Sequence, residues 1–338
     1  MMDERLKGFR YSVAIRTLGL AGDKYQQELN SIKNQSIKPD KVIVYLAEGY
    51  DPPKETIGLE EIVYVKKGMV AQRALEYREI DSPFILLLDD DVFLREDSVE
   101  KLALGLMENG GDCIAADTFR SHEMSFTSKV RAVITNWAIP FYSNKWAIRI
   151  QHTGSFFYNN NPKKDVYLAQ SAAGPCSLWQ KNALLSIRFK DEVWLDKLGF
   201  AYGDDLLFFY KLYVNNGRLL FHYKSGVEHL DGQSSRKSYS NDPERLRKRA
   251  RAWFLLWWRI DFDRCDYSLF QKTISLFEYL IKFIWSFVIN LLFSFIKLSY
   301  KPIWYFLLGN IDGMKFIQTL DYQNVPGFIL CELDSETK

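Results

Sequence analysis

The stretch FILLLDDDVF, residues 84–93, constrains the fold of this chain more than any other segment. Five consecutive apolar residues without a polar face are typical of a strand that is buried on both sides, as in the centre of a parallel sheet. Three carboxylates follow at once; in extended backbone Asp89 and Asp91 point to one side and Asp90 to the other. Two carboxylates about 5 Å apart repel each other by roughly 3 kcal/mol at an effective dielectric constant of about 20. The end of this strand is therefore expected to hold a cation, with a solvated turn as the alternative.

The first 116 residues alternate short apolar runs with helix-like segments. Strands are predicted at Tyr11–Ile15, Val42–Leu46, Ile62–Val65, Phe84–Leu88 and Cys113–Ala116. Helices are predicted between them at Tyr25–Asn34, Met69–Ile80 and Asp97–Glu108. This alternation predicts an α/β fold with a mostly parallel sheet flanked by helices. Residues 117–168 show no clear period and are interpreted as an irregular insertion.

Regular patterns return after residue 170. Helices are predicted near Lys181–Ile187, at 202–217 and at 241–260, and the segments RLLFHY and VEHL read as strands. The net charge is only +2, but Arg236–Arg264 contains nine Lys or Arg against four Asp or Glu. Basic residues mixed with Trp and Phe indicate a membrane surface or a phosphate-bearing substrate before nucleic acid.

The C-terminal third contains a long apolar segment with a narrow polar stripe. From Lys272 to Lys301 polar residues recur every three or four positions, which is the period of an α-helix. The longest uncharged run, Phe283–Ile296, has 14 residues, short of the roughly 20 that a bilayer-spanning helix needs. The pattern favours a helix that lies in the membrane interface and bends at Pro302. A helix buried in a core or in a dimer interface is the alternative.

The expected compartment follows from the cysteines and the N-terminus. The chain has four cysteines without a CxxC pair, and they are expected to be reduced: Cys113, Cys176, Cys265 and Cys331. The first residues mix charges of both signs and contain no apolar signal segment. The globular part is therefore expected in the cytoplasm, peripheral or monotopic at the inner face of the cell membrane.

Two further acidic segments support the expected cation at Asp89–Asp91, the acidic turn. Asp204 and Asp205 begin the predicted helix in GDDLLFFYKL, where the helix dipole favours anions, although capping is the commoner use of such residues. The segment VEHLDGQSS places His229 between Glu228 and Asp231, although a lone His more often packs in a core. Mg²⁺ is usually held by one or two carboxylates together with substrate phosphates. The acidic turn is therefore interpreted as a site for a metal-bound diphosphate.

Taken in order, five segments resemble the family 2 glycosyltransferases of the GT-A fold. They are YSVAIRTLG, KGMVAQRAL, ILLLDDDVFL, AAGPCSLWQKNAL and YGDDLLFFYKL, and the resemblance covers roughly residues 10–260. The resemblance implies a GT-A (Rossmann-like) sheet, a nucleotide-sugar donor and a divalent cation, Mg²⁺ or Mn²⁺. It also implies inversion of the anomeric centre by a single carboxylate base.

The resemblance assigns roles to individual residues. Those assigned to the nucleotide sugar are Thr17, Glu48, Arg73, Asp89 and Asp90; those assigned to the metal are Asp89, Asp91 and His229; those assigned to catalysis are Asp205, as the base, and Asp204 beside it. The chain departs from the family pattern at the nucleobase contacts. Arg16-Thr17 stands where Pro-Thr is usual, and Ala47-Glu48-Gly49 where Asp-Asp-Gly is usual.

The expected organisation combines this resemblance with the C-terminal pattern. The division is a GT-A catalytic domain at 1–235 (nucleotide-binding half 1–116, acceptor half 117–235), a basic aromatic helix at 236–265 and a membrane-associating helical region at 266–338. Expected partners are a nucleotide sugar, with UDP the commonest donor nucleotide among such enzymes, a glycan or polyprenyl-diphosphate-linked acceptor, and the membrane surface. Nucleic acid is not an expected partner.

Two other functions remain open on the sequence alone. A sugar-phosphate nucleotidyltransferase would need a glycine-rich, basic loop after the first strand, and Arg16 with Gly19 and Gly22 gives it slight support. A non-catalytic membrane adaptor with the same fold is disfavoured because Asp89, Asp91 and Asp205 are all present.

Overall fold

The first half of the chain forms the strands and helices that carry the acidic turn. The computed structural model describes residues 3–118, 125–135, 139–199, 203–230 and 243–329. The strands are β1 (Tyr11–Thr17), β2 (Val42–Ala47), β3 (Glu60–Val65), β4 (Phe84–Asp89), β5 (Val92–Leu94) and β6 (Cys113–Ala116). The helices are α1 (Asp23–Lys33) and α2 (Ser98–Glu108), after a 3-10 turn at Glu4–Leu6. The five strands predicted in this half are confirmed.

The second half adds strands, short helices and a C-terminal group of long helices. The strands are β7 (Ile139–Phe141), β8 (Trp146–Ile150), β9 (Phe156–Asn159), β10 (Val166–Ala169), β11 (Cys176–Gln180), β12 (Leu219–His222) and β13 (Val227–His229). The helices are α3 (Phe126–Thr135), α4 (Lys181–Ser186), α5 (Asp204–Val214), α6 (Pro243–Trp257), α7 (Leu269–Ile296), α8 (Lys301–Phe316) and α9 (Leu320–Gln323). A 3-10 helix, Phe189–Leu198, precedes α5, and a π-helix, Trp258–Phe262, continues α6.

Eleven of these strands form one mixed sheet. Their order is β3-β2-β1-β4-β11-β6-β12-β10-β8-β9-β7. Strands β3, β2, β1 and β4 are parallel, and β11 runs antiparallel between β4 and β6. Strands β5 and β13 form a separate antiparallel ribbon. The α/β prediction with a mostly parallel sheet is confirmed, and the carboxyl ends of β2, β1 and β4 lie at one edge, where such sheets bind ligands.

Helices cover both faces of the sheet because its central strands are apolar on both sides. Along β1, Val13 and Ile15 pack in the cluster that contains α1 and α2. Ala14 points to the other face, whose cluster includes α5 and α6. Strand β4 is likewise buried from Ile85 to Leu88. Burial on both faces fixes the register of β1 and β4, so the residues that follow them have little freedom of position.

The predicted helix Met69–Ile80 is wrong. Residues 69–73 form a tight turn, followed by an irregular segment in which Tyr77 has a φ of +49°. The carboxylate of Asp196 accepts hydrogen bonds from the N–H groups of Val70 and Ala71, at 3.1 and 2.9 Å. These N–H groups belong to the first turn, where a helix also leaves its N–H groups without partners, so Asp196 anchors this turn and does not replace helical hydrogen bonds.

The predicted irregular insertion at 117–168 is also wrong. This segment contains α3 and four strands, β7 to β10, and all four strands belong to the large sheet. Each strand has only three to five residues. Runs this short show too few alternations to reveal a period of two, which is why their sequence looks irregular.

The C-terminal helices α6, α7 and α8 pack tightly on one another. A Cβ atom at Gly309 or Gly313 of α8 would collide with the backbone of Arg247 and the ring of Phe254 in α6, so the two glycines allow close contact between these helices. Helix α7 joins the group through Tyr279, whose hydroxyl donates to Asn310 of α8 at 3.0 Å. The predicted helix Lys272–Lys301 ends earlier, at Ile296, and a new helix begins at Lys301.

A buried ion cluster connects this helical group to the 3-10 helix and to α5. Glu192 is fully buried and accepts hydrogen bonds from Arg259, at 2.8 and 3.0 Å, and from Lys211 at 2.9 Å. Arg259 also donates to the carbonyl oxygen of Pro326. Burial alone would raise the pKa of Glu192, but the two cations outweigh it and lower that pKa to about 2. The cluster is therefore charged, and all of its members depend on one another.

The cysteines differ from the prediction at one position. Cys113 and Cys176 are buried free thiols, as expected. Cys265 is disulfide-bonded, which corrects the expectation of a reduced thiol there. Cys331 lies outside the described residues, as does Asp231.

Candidate active site

The acidic turn lies where β1 and β4 end side by side. The parallel register pairs Arg16 with Asp89, and the Arg16 Nε atom donates to the Asp89 carboxylate at 2.6 Å. One residue further on, the Thr17 hydroxyl donates to Asp90 at 2.5 Å. Burial raises the pKa of Asp90, which the Thr17 hydrogen bond opposes. Strand register therefore brings together three of the residues that the resemblance assigns to the nucleotide sugar: Thr17, Asp89 and Asp90.

Asp91 and His229 meet through the small ribbon of β5 and β13. The antiparallel register places His229 opposite Val92, and its Nε2 atom lies 3.0 Å from the Asp91 carboxylate. Both side chains are about 15% exposed, so they remain within reach of a ligand. Asp91 and His229, two of the three residues predicted to hold a metal, are therefore in contact although they lie 138 positions apart in the sequence.

A fourth carboxyl group, Glu28 of α1, lies under the acidic turn. Its side chain is completely buried, and one oxygen accepts from the N–H of Val92 at 3.4 Å. Burial raises the pKa of Glu28 well above its usual value, and the three aspartates of the turn add to this rise. Burial and the neighbouring carboxylates therefore both favour the protonated, uncharged form of Glu28. The sequence gives little sign of this role because an acid on α1 reads as a solvated helix position.

Asp204 and Asp205 share the guanidinium of Arg73. Arg73 Nη1 donates to Asp204 at 2.5 Å and forms an ion pair with Asp205. Arg73 and Asp204 are 5% and 6% exposed in their side chains, whereas Asp205 is 36% exposed. Burial raises the pKa of Asp204 above its usual value; Arg73 opposes this rise and Asp205 reinforces it. Asp205 is the carboxylate that an incoming substrate can touch.

Arg73 reaches these acids because the turn that replaces the predicted helix holds it in place. In that turn Gln72 is buried and donates to the carbonyl oxygens of Thr17, the last residue of β1, and of Tyr45, within β2. A side chain at Gly174 would overlap both Arg73 and Asp205, so this glycine allows their contact. The N–H of Asp89 donates to the carbonyl of the next residue, Pro175, at 3.0 Å. The AAGP segment, residues 172–175, thus connects the acidic turn to the Asp204–Asp205 pair.

One predicted residue remains apart from this group. Glu48 is exposed in the turn after β2, and no side-chain contact among the described residues joins it to the carboxylates. Besides Glu28, three residues that contribute to the site were not predicted: Arg16, Gln72 and Gly174. Their common signal is position, since each directly precedes or follows a residue of a motif that the family resemblance singles out.

The chemistry of the acidic turn fits a divalent cation held jointly with a substrate. Within the described ranges, no group of three or more His, Cys, Asp or Glu side chains forms a complete metal site. Asp91 and His229 nevertheless offer two ligands, with Asp89 on the same turn. A cation that keeps water and takes substrate phosphates needs no more than this from the protein.

Comparisons with known proteins agree with this fold. Among solved structures, S. aureus TarS 1-349 matches with a TM-score of 0.51 at 15% identity, covering 94% of this chain and 81% of that chain. S. aureus TarS 1-349 in complex with UDP-GlcNAc gives a TM-score of 0.49 at 14% identity, covering 94% and 82%. The first similarity shows a shared fold, and the second is too weak to support an argument. No curated protein matches.

A family model, Glycosyl transferase family group 2, matches residues 84–314. The match begins at the first residue of β4, continues through the acidic turn, Gly174 and both acids of α5, and ends within α8. It covers about two thirds of the sequence and includes the centre of the site. This chain therefore belongs to glycosyl transferase family group 2 and is a glycosyltransferase with a GT-A fold.

Proposed function

We propose that the protein transfers a sugar from a nucleoside-diphosphate sugar to a hydroxyl group of a glycan or lipid-linked acceptor, with inversion and with a divalent cation. One observation carries the proposal: the acidic turn and the partly exposed Asp205 lie on either side of the Gly174–Pro175 backbone. A diphosphate on one side and an acceptor hydroxyl on the other would place the sugar between them. Membership of a transferase family favours this over nucleotidyl transfer and over a non-catalytic adaptor.

The donor side of the site is proposed to lie at the ends of β1, β2 and β4. Thr17 and Glu48 are proposed to face the base, and Asp89 and Asp90 the ribose and sugar, as in the family that the chain resembles. Arg16 neutralises Asp89 and keeps it oriented. UDP is the proposed nucleotide because it is the commonest donor nucleotide among such enzymes.

The departing diphosphate is proposed to lie against Asp91 and His229. A divalent cation held there would stabilise the negative charge of the leaving group as a Lewis acid. Asp89 ends β4 and Asp91 lies in the turn that follows, and both carboxylates are proposed to face that cation.

Asp205 is proposed to be the general base. As the acceptor oxygen bonds to the anomeric carbon, its proton passes to the Asp205 carboxylate, and the bond from that carbon to the diphosphate oxygen breaks. Attack opposite the leaving group inverts the anomeric centre. Arg73 fixes Asp205 in place, and Asp204 holds Arg73 from the buried side. Much of the rate enhancement then comes from positioning.

A membrane surface is the proposed location, and α7 is the feature that supports it. Among the described residues, α7 is the helix that is long and apolar enough to cross a membrane by length and composition, with a mean hydropathy of 1.9 over its most apolar window. Only 11% of that window is buried. On its other side Lys282 donates to Thr153 and Ser155 of the catalytic half, at 2.9 and 2.7 Å. A helix bound along its polar stripe in this way suits the interface better than a transmembrane position.

Helix α3 extends the proposed membrane surface. It exposes Phe126, Val130, Val133 and Ile134, and the Trp285 indole of α7 donates to the Ile134 carbonyl at 2.5 Å. The two apolar surfaces are therefore adjacent. Exposed apolar areas of this extent mark interaction sites in soluble domains. An apolar surface beside a basic helix suits the cytoplasmic leaflet, where lipid-linked sugar acceptors occur.

Replacing Phe277, Ile281 and Ile284 by serine is expected to move the protein from the membrane to the soluble fraction. These side chains are 52–63% exposed, so the substitutions remove apolar surface without opening the core. Each buried apolar side chain contributes about 1.5–3 kcal/mol to partition. Flotation with vesicles measures the change. Equal flotation of the triple variant and the parent would contradict the proposed surface. Triple substitution of the exposed Lys7, Lys33 and Lys66 by serine serves as the control.

Donor binding is expected to require the cation. A matching nucleotide sugar at 100 times its Kd should stabilise the protein by about 2.7 kcal/mol with Mn²⁺ and far less with EDTA. A thermal-shift screen of nucleotide sugars measures this. Asp91→Ala should abolish the shift, whereas Asp81→Ala, at the opposite end of the same strand, should retain it. Equal stabilisation in EDTA would argue against a metal-bound diphosphate.

A further inference from the structure

A second polar cleft lies between α6 and α8, away from the acidic turn. Its volume is about 470 Å³, and its lining comes from the two helices and from the end of the 3-10 helix. The lining residues are Leu198, Glu244, Arg247, Lys248, Arg251, Asp312, Lys315, Phe316 and Thr319. Four of these nine residues are basic and two are acidic. None of the roles proposed above uses them.

Positive charge remains in this cleft after its internal ion pair is counted. Arg247 and Asp312 form a two-point pair, with distances of 2.6 and 3.1 Å, and neutralise each other. Lys248 and Lys315 have no carboxylate partner among the described residues. Apart from the Arg247–Asp312 pair, the lining thus contains three cations, Lys248, Lys315 and Arg251, and one acid, Glu244. Like charges held this close favour an anion between them.

Arg251 forms the floor of the cleft and connects it to the catalytic half. Its Nη2 atom donates to the carbonyl of Leu198 at 2.7 Å, which orients the guanidinium. Its Nε–H group is buried and has no hydrogen-bond partner in the described part of the chain. Burial also lowers the pKa of Arg251, so the cation pays a desolvation cost here. A bound anion would offset that cost.

The cleft is close to the proposed base along the chain. Leu198 precedes Asp204 by six residues, which span at most about 20 Å when fully extended. Gly203, with a φ of +86°, lies against Leu256 of α6, the helix that also supplies Arg247, Lys248 and Arg251. An acceptor that spans this separation would have a hydroxyl at Asp205 and a negatively charged group in the cleft.

We propose that this cleft binds a phosphate or diphosphate group of the acceptor. Guanidinium and ammonium groups around a pocket of this size are the usual ligands of phosphate oxygens. The anionic character of the ligand follows from the cleft alone, whereas its place on the acceptor rests on the proposed sugar transfer. The cleft would thereby select acceptors that carry phosphate over neutral glycans.

Calorimetric titration of the full-length protein with inorganic pyrophosphate in EDTA tests the proposal. EDTA keeps the acidic turn from binding pyrophosphate through a metal. Replacing Lys248 and Lys315 together by glutamate should weaken binding by about tenfold or more for each lysine, the order expected for hydrogen bonds to charged groups. The double change to glutamine should weaken it less. Lys7→Glu with Lys33→Glu changes the net charge equally on a distant surface and should bind like the parent.

The outcomes separate this proposal from its alternatives. Equal pyrophosphate affinity in the parent and both cleft variants, or none in the parent, would overturn it. Loss of binding to anionic vesicles with unchanged pyrophosphate affinity would also overturn it, since the lysines would then face a lipid surface. The protein could also bind pyrophosphate through the cleft yet bind no nucleotide sugar in the thermal-shift screen. That result would support anion binding by the cleft and would count only against the proposed sugar transfer.

Discussion

Replacing Asp205 by asparagine is expected to lower kcat by about 10³-fold, because the amide cannot accept the proton of the acceptor hydroxyl. Asparagine keeps the size of the side chain, so Arg73 and Asp204 should remain in place. Donor affinity should change little, since Asp205 does not lie on the acidic turn. Release of nucleoside diphosphate in the presence of acceptor measures the rate, and the cation-dependent thermal shift measures donor binding.

The matched control is Asp81→Asn, which removes an exposed carboxylate from the far end of β4. It should leave both measurements unchanged. If Asp205→Asn kept more than a tenth of the parental rate, another group would have to be the base. Asp204 would then be the next residue to test, although its burial and its pairing with Arg73 make direct contact with an acceptor difficult.

Glu192→Gln is expected to destabilise the folded protein by about 3–5 kcal/mol, because it leaves Arg259 and Lys211 buried without their shared counter-charge. Asp191 lies 3.7 Å from Lys211 and compensates in part, so Arg259 should account for most of the loss. Urea unfolding measures the free energy. The matched control is Asp321→Asn in the exposed Lys197–Asp321 pair, which should cost less than about 1 kcal/mol.

The same cluster predicts how stability depends on pH. The pKa of Glu192 is about 2 in the folded protein, below its ordinary value of 4.5, so its contribution is complete above pH 4.5. That contribution falls as the pH drops from 4.5 towards 2, because only the unfolded state binds the proton readily. Glu192→Gln should show a smaller loss of stability over this interval. An identical acid profile in parent and variant would mean that the cluster is not charged.

Local patterns in the sequence were sufficient for the parts of the fold that depend on local burial. The apolar run of β4 predicted a buried strand that pairs in parallel and ends at the acids, and the structure has that strand. Asp204 and Asp205 were likewise predicted at the start of a helix. In each case neighbouring residues alone determine the outcome.

Features that depend on distant contacts were not predictable in this way. Residues 69–80 have a helical apolar pattern, but Asp196, more than 100 positions later, holds the backbone of Val70 and Ala71 in a turn. The contact between Arg73 and the two acids of α5 follows from that turn. Arg16 is brought to Asp89 by strand register, which no single segment of sequence specifies.

The two glycines of α8 have a mechanical consequence. With no side chains between them, α6 and α8 are in backbone contact, and α6 in turn presses Leu256 against Gly203 just ahead of the acids. A displacement of Gly203 during turnover would therefore have to carry both helices with it as one rigid body. Opening and closing around an acceptor would be transmitted directly to the surface formed by α7, which packs on the same pair.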